Sequence, residues 1–196
     1  DQVRGIFWHQ GESNGQMPYD DYLGFWTTLY TSWLQDYPNV IGVFPFQVRA
    51  GCGNPLWNRN VHRDLPERFD RVLGAMSTTG VAGHDNCHFY HDAYAEWGER
   101  MARIVLRELY SNAPPGNIDA PNPQSAYWKT PTELVIEFGS TGGGLFLQPG
   151  AEVSFSLSGD TAIESVRVVD TTVVITTATP SEAQFISLVD VQGDIP

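Results

Sequence analysis

Over the first 110 positions, continuous apolar runs of the kind that make buried strands alternate with apolar residues spaced three and four apart, as on a helix. Val3-Arg4-Gly5-Ile6-Phe7-Trp8, rich in β-branched and aromatic residues, predicts a strand that ends in a polar loop near Gly11. From Tyr19 onward, Tyr22, Leu23, Phe25, Trp26, Leu29, Tyr30, Trp33 and Leu34 recur at helical spacing, with Asp20 and Asp21 favourably placed in the first turn. A second apolar strand, Val40 to Val48, follows and completes a βαβ unit of parallel, buried character. A polar loop over Gly51 to Asn60, a helix around Leu65 to Met76, a turn at Gly80-Val81-Ala82-Gly83 and a long amphipathic helix from Asp92 come next. That last helix is marked by Ala93, Trp97, Met101, Ile104, Val105, Leu106 and Leu109. The alternation predicts an α/β domain over 1–110.

The rhythm breaks after Ser111. Asn112, Pro114, Pro115, Gly116, Asn117, Pro121, Asn122 and Pro123 predict a linker or an extended crossing segment over 111–126. Short apolar runs at 133–138, 152–157, 165–169, 172–176 and 185–189, separated by Gly, Pro, Asp and Ser, then predict a small antiparallel β-sandwich over 127–196.

Composition narrows the choice of partner. The 196 residues carry a formal net charge of −12, and Lys129 is the only lysine. Nucleic acid and anionic membrane surfaces would be repelled, whereas a neutral sugar would not. No apolar run approaches the ~20 residues of a membrane-spanning helix. Cys52 and Cys87, the only cysteines, each follow a predicted strand. They either bridge, implying an oxidising compartment, or remain two buried thiols.

Two constellations carry chemistry. His9-Gln10-Gly11-Glu12-Ser13-Asn14 falls at the carboxyl end of the first strand, where α/β sheets place their sites. Asp85 and His88, three apart before a helix, pair a carboxylate with an imidazole. Such a carboxylate fixes the ring's tautomer and stabilises the imidazolium formed when histidine takes a nucleophile's proton. His84, Asp85, Cys87, His88 and His91 are also crowded enough to suggest a metal, but no second Cys/His pair stands elsewhere to complete a zinc set, and no metal is expected.

His9-Gln10-Gly11-Glu12, within Phe-Trp-His-Gln-Gly-Glu-Ser-Asn, resembles the HQGE block of the SGNH-hydrolase superfamily, in the branch of sialate O-acetylesterases and family-six acetylxylan esterases. Val43-Phe44-Pro45-Phe46-Gln47-Val48 is similar to the strand that follows it there. Asp85-Asn86-Cys87-His88, leading to Gly98-Glu99-Arg100-Met101-Ala102, resembles the family's catalytic Asp-x-x-His and the helix behind it. The tail, with Gly142-Gly143-Gly144-Leu145 and Ser156-Leu157-Ser158-Gly159, resembles the β-domain that sialate O-acetylesterases carry after their catalytic domain. The resemblance implies a flavodoxin-like three-layer fold and a secreted or periplasmic esterase that removes acetyl groups from carbohydrate without a cofactor.

By the same resemblance, His88 is the general base and Glu12 or Asp85 the acid that orients it, Glu12 being favoured where the HQGE block is intact. Gln10 donates to the oxyanion, Gly11 allows close backbone approach, and His9 supports from behind. The family's nucleophilic serine sits in a Gly-x-Ser-Asn block well before HQGE. It is therefore expected upstream of Asp1, in an N-terminal remainder of the same protein, and this chain alone is expected to be inactive. Ser13 in Gly11-Glu12-Ser13-Asn14 spells a similar block, but its neighbours match the later one, so it is expected to cap the loop or helix. Phe89 stands where a proline commonly follows the histidine, and Leu65-Pro66-Glu67-Arg68-Phe69 where the family often shows Arg-Glu-Ala-Gln. The alternative is a carbohydrate-binding or scaffold module of the same fold, with Trp57, Tyr127 and Trp128 stacking on sugar rings.

Overall fold

A computed structural model describes residues 3–49, 57–85, 88–139, 144–147, 149–159, 161–184 and 186–188. The chain divides into two units, Asp1–Ile118 and Asp119–Pro196.

Val43 and Phe44 are adjacent and both fully enclosed, which a strand achieves only when both faces of its sheet are covered. They lie on β2 (Gly42–Gln47), the middle strand of a parallel sheet between β1 (Gly5–Trp8) and the two-residue β3 (Met76–Ser77). Ile6 registers with Val43, Phe7 with Phe44 and Phe46 with Met76. Val43 packs with Tyr22, Trp26 and Tyr30 of α1 (Tyr19–Asp36) and with Val61 and Leu65 of α2 (Trp57–Arg68). Phe44 packs with Trp97, Met101 and Ile104 of α3 (His91–Tyr110). Helices on both faces make the expected α/β three-layer unit, with β1, α1, β2 and α3 falling where periodicity puts them.

The second helix differs from expectation. It runs Trp57–Arg68, not Leu65 to Met76. Its inward stripe is Asn58, Val61, His62 and Leu65, all wholly buried, and half of that stripe is polar, which hides it from an apolar count. Pro66 sits in its last turn, and past Arg68 the backbone opens so that Val43 bonds on both sides of Val72 (Val43 N to Arg71 O, 2.7 Å; Leu73 N to Val43 O, 3.3 Å).

The stretch expected as a linker over 111–126 is also structured. Arg103 holds the carbonyls of Pro115 and Asn117 (2.7 and 3.2 Å), and Ile118 packs against the α3 core. From Asn122 the chain is strand β4 (Asn122–Thr130), none of whose residues is buried. Such an outer strand lacks an apolar rhythm and tolerates Pro123. In the second unit β4 heads an antiparallel sheet of order β4-β5-β8-β7, with β5 Glu133–Gly139, β7 Ile163–Val169 and β8 Thr172–Thr177. A pair, β6 (Phe155–Leu157) and β9 (Ile186–Leu188), adds Phe155, Leu157 and Ile186 to the core built on Leu134, Ile136, Val173 and Ile175. The strand expected over 152–157 is shorter because Ala151–Ser154 forms a 3-10 turn. Trp128 turns into that core and donates to the Ala183 carbonyl (3.3 Å), whereas Tyr127 stays exposed with its hydroxyl on Glu137 (3.3 Å). Trp57's side chain, Cys52, Cys87, Gly142 and Gly143 lie outside the described residues. No described helix is long and apolar enough to cross a membrane.

Phe44 supports the sheet beneath the loop that follows β1, stacking on Phe7 at 5.5 Å. Replacing it with alanine is expected to cost the first unit about 3–5 kcal/mol, read from its urea unfolding midpoint.

Candidate active site

The loop after β1 turns sharply at Gly11, whose φ of 138° few residues with a Cβ adopt. A Cβ there would stand 2.8 Å from the Tyr22 hydroxyl and 2.9 Å from Asn58 Nδ2. The Gly11 carbonyl accepts from Asn58 Nδ2 (2.5 Å) and from the amide of Asn14 (3.0 Å), which closes the 3-10 turn Glu12–Asn14. Ser13 is exposed on that turn.

Tyr22 reaches the loop from α1 and His62 from α2. The Tyr22 hydroxyl lies 2.9 Å from His62 Nε2, 3.1 Å from the Gln10 carbonyl and 3.3 Å from Gln10 Oε1. On its far side, His62 Nδ1 faces the Val48 amide at a long 3.5 Å. Complete burial pushes the His62 imidazole down to about 3 and raises the Tyr22 phenol well above its ordinary value, so both are neutral at physiological pH. Gln10 itself is exposed, with its Nε2 donating to Asn14 Oδ1 (2.5 Å).

Glu12 binds His9, Oε1 to Nε2 at 2.8 Å. Burial raises the Glu12 carboxyl, but the hydrogen bond from His9 and further favourable contacts outweigh it and leave it below its ordinary value. The His9 ring then packs edge-on against Trp97 of α3, centroids 4.5 Å apart.

Asp85 and His88 form a tight turn of their own. Asp85 Oδ1 accepts from the His88 amide (2.6 Å) and Oδ2 meets His88 Nδ1 (3.2 Å), while Asp85 N donates to the His88 carbonyl (3.0 Å). The turn is anchored by buried Phe89, which packs edge-on against Trp97 at 4.6 Å and under the Arg49 guanidinium at 5.7 Å. His88 is left exposed, and among the described residues no serine hydrogen-bonds to it. Trp97 is thus a shared contact, touched by His9 of the His9–Glu12 pair and by Phe89, which follows His88. His84 packs against Phe89 and His91 pairs with neighbouring Asp92 (3.1 Å).

The family described as carbohydrate esterase, sialic acid-specific acetylesterase, matches residues 1–107, more than half of the sequence. The chain belongs to this family. A solved structure of a carbohydrate acetylesterase from Xanthomonas citri is similar with a TM-score of 0.70 and 16% sequence identity, over 90% of this chain and 43% of that one. At that identity the likeness shows the fold. The chain spans less than half the length of that relative. No curated protein sequence matches it.

Sequence reasoning singled out Gln10, Gly11, Glu12, Asp85 and His88 but missed Tyr22, Asn58, His62 and Trp97. The available signal was Asn58 and His62 at i and i+4, two polar residues in register with Val61 and Leu65 on one helical face.

Two outcomes follow for this unit. Gly11→Ala is expected to destabilise it by about 1–3 kcal/mol in urea unfolding, because the strained φ and the contact with Tyr22 act together. The folded-state value of His62 lies below its ordinary 6.5, so on acidification the unfolded chain takes up a proton that the folded chain refuses until about 3. The contribution of His62 to stability is therefore complete above about 6.5 and falls through that window, by at most about 1.4 kcal/mol per pH unit. Unfolding free energies measured from pH 7 to pH 5 should decline less steeply in His62→Gln.

Proposed function

We propose that the protein is a secreted or periplasmic carbohydrate O-acetylesterase, sialate O-acetylesterase-like in substrate, in which this chain supplies the base, its orienting acid and an oxyanion donor. One observation carries the reading. The Asp85 carboxylate sits on His88 Nδ1 (3.2 Å) and its second oxygen on the His88 backbone, while the ring stands open to solvent. That is the geometry a general base needs, since a carboxylate at Nδ1 keeps the proton there and turns the lone pair of Nε2 outward.

In this mechanism a serine from the N-terminal remainder of the protein attacks the acetyl carbonyl, and His88 Nε2 takes its proton. The tetrahedral oxyanion is held by Gln10 Nε2 and nearby backbone amides. Collapse breaks the bond to the sugar oxygen, which leaves with the proton returned by His88. Water, deprotonated by the same imidazole, then releases acetate from the serine. Asp85 steadies the transient imidazolium. Glu12, engaged with His9 at 2.8 Å, acts on the shape of the HQGE loop. No cofactor enters. The excess of negative charge, with Lys129 as sole lysine, suits a carbohydrate partner better than a polyanion.

The full-length protein assayed on a chromogenic acetyl ester tests the reading. His88→Ala should lower kcat about a thousandfold or more, and undiminished turnover would sink the mechanism. Asp85→Ala should cost more turnover than Glu12→Ala; the reverse ranking would return the orienting role to Glu12.

A further inference from the structure

A side-chain amide serves an oxyanion only if its NH2 end, not its oxygen, faces the substrate, and the two ends have nearly the same shape. Gln10 is exposed on a loop, so something must decide which end points out. The hydrogen bonds around His62 give a direction. Its Nδ1 faces the Val48 N–H and is therefore the lone-pair nitrogen, which puts the ring proton on Nε2. Nε2–H then donates to the Tyr22 oxygen at 2.9 Å. The Tyr22 proton is left for Gln10, shared between the main-chain carbonyl at 3.1 Å and Oε1 at 3.3 Å. Each donor in the series has an acceptor, and reversing the histidine tautomer would set an N–H against an N–H at Val48. The series ends at Gln10, whose Oε1 faces Tyr22 while Nε2 donates to Asn14 Oδ1 (2.5 Å), and the two bonds together keep Oε1 on the Tyr22 side and Nε2 directed away from it.

We propose that Tyr22 and His62 are positioning residues that set the amide orientation of Gln10, so that its NH2 group is presented to the oxyanion. The inference rests on the reading of Gln10 as the oxyanion donor and adds to it the device that makes the donor dependable. Neither residue touches substrate. Tyr22 is almost wholly enclosed and His62 completely so, and both act through the one side chain of the series that reaches solvent. Neutrality is part of the design, because a charged His62 would carry a second N–H toward Val48 and break the direction of the series. Burial holds the ring in its neutral form.

The experiment is a double-mutant cycle in the full-length protein, read as kcat and KM on a chromogenic acetyl ester, with thermal unfolding confirming the fold of each variant. Tyr22→Phe, which removes only the hydroxyl, should lower kcat about tenfold and leave KM within about twofold, a fraction of the loss expected when an oxyanion donor is deleted. In a Gln10→Ala background the same substitution should cost nothing further. His62→Gln, which can still donate to Tyr22, should keep most of the turnover, whereas His62→Met should match Tyr22→Phe. An equal loss from Tyr22→Phe with and without Gln10 would overturn the proposal in favour of general support of the fold. So would a silent Tyr22→Phe beside an impaired Gln10→Ala. Full turnover in Gln10→Ala would instead remove the oxyanion reading itself, and the proposal with it.

Discussion

Asn58 and His62 are polar, and both are completely enclosed between α2 and the loop that follows β1. A buried amide or imidazole without partners costs a few kcal/mol, so these two groups restrict the conformations open to everything around them. Asn58 donates to the carbonyl of Gly11, and His62 meets the Tyr22 hydroxyl, which in turn holds Gln10. The loop, α1 and α2 are tied at one point, where the chain leaves the sheet and enters the HQGE loop. The glycine at that point is a corollary, since any Cβ would intrude on the Tyr22 hydroxyl and on the Asn58 amide nitrogen.

How much could be read beforehand depends on what each element buries. β1, β2, α1 and α3 bury apolar residues at regular spacing, and Val43 and Phe44 within one continuous run already imply a sheet covered on both faces. α2 eluded that reasoning because a stripe half made of Asn and His gives no hydrophobic signal, although it faces the core as fully as Leu65 does. β4 eluded it for the opposite reason: as an outer strand it turns only Trp128 toward the core and has no fully buried residue, and its Asn122 and Pro123 resemble those of a linker. Asp85 and His88 were legible from spacing alone because their contact is local, three residues apart in one turn. The engagement of Glu12 with His9 depends on how the backbone turns at Gly11, and a one-dimensional pattern does not specify a turn.

Trp97 was counted at the sequence level as one of the apolar positions of a helix, which it is. Both the His9 ring and Phe89, each beside one of the two chemical constellations, pack edge-on against it. An indole makes a stiff spacer, with few rotamers and a large contact area. Its placement means that α3 braces the HQGE loop and the Asp85–His88 turn through one side chain.

The neutrality of His62 separates two responses that histidine often combines. An imidazole that titrates near physiological pH would let the acidity of the medium reshape the loop by degrees. Held far below that range, His62 behaves as a fixed dipole, and its hydrogen bond to Tyr22 keeps one direction through mild acidification. A proton can reach the ring only when the surrounding shell opens. Acid therefore acts on this series of hydrogen bonds through the population of opened molecules rather than by retuning the closed ones.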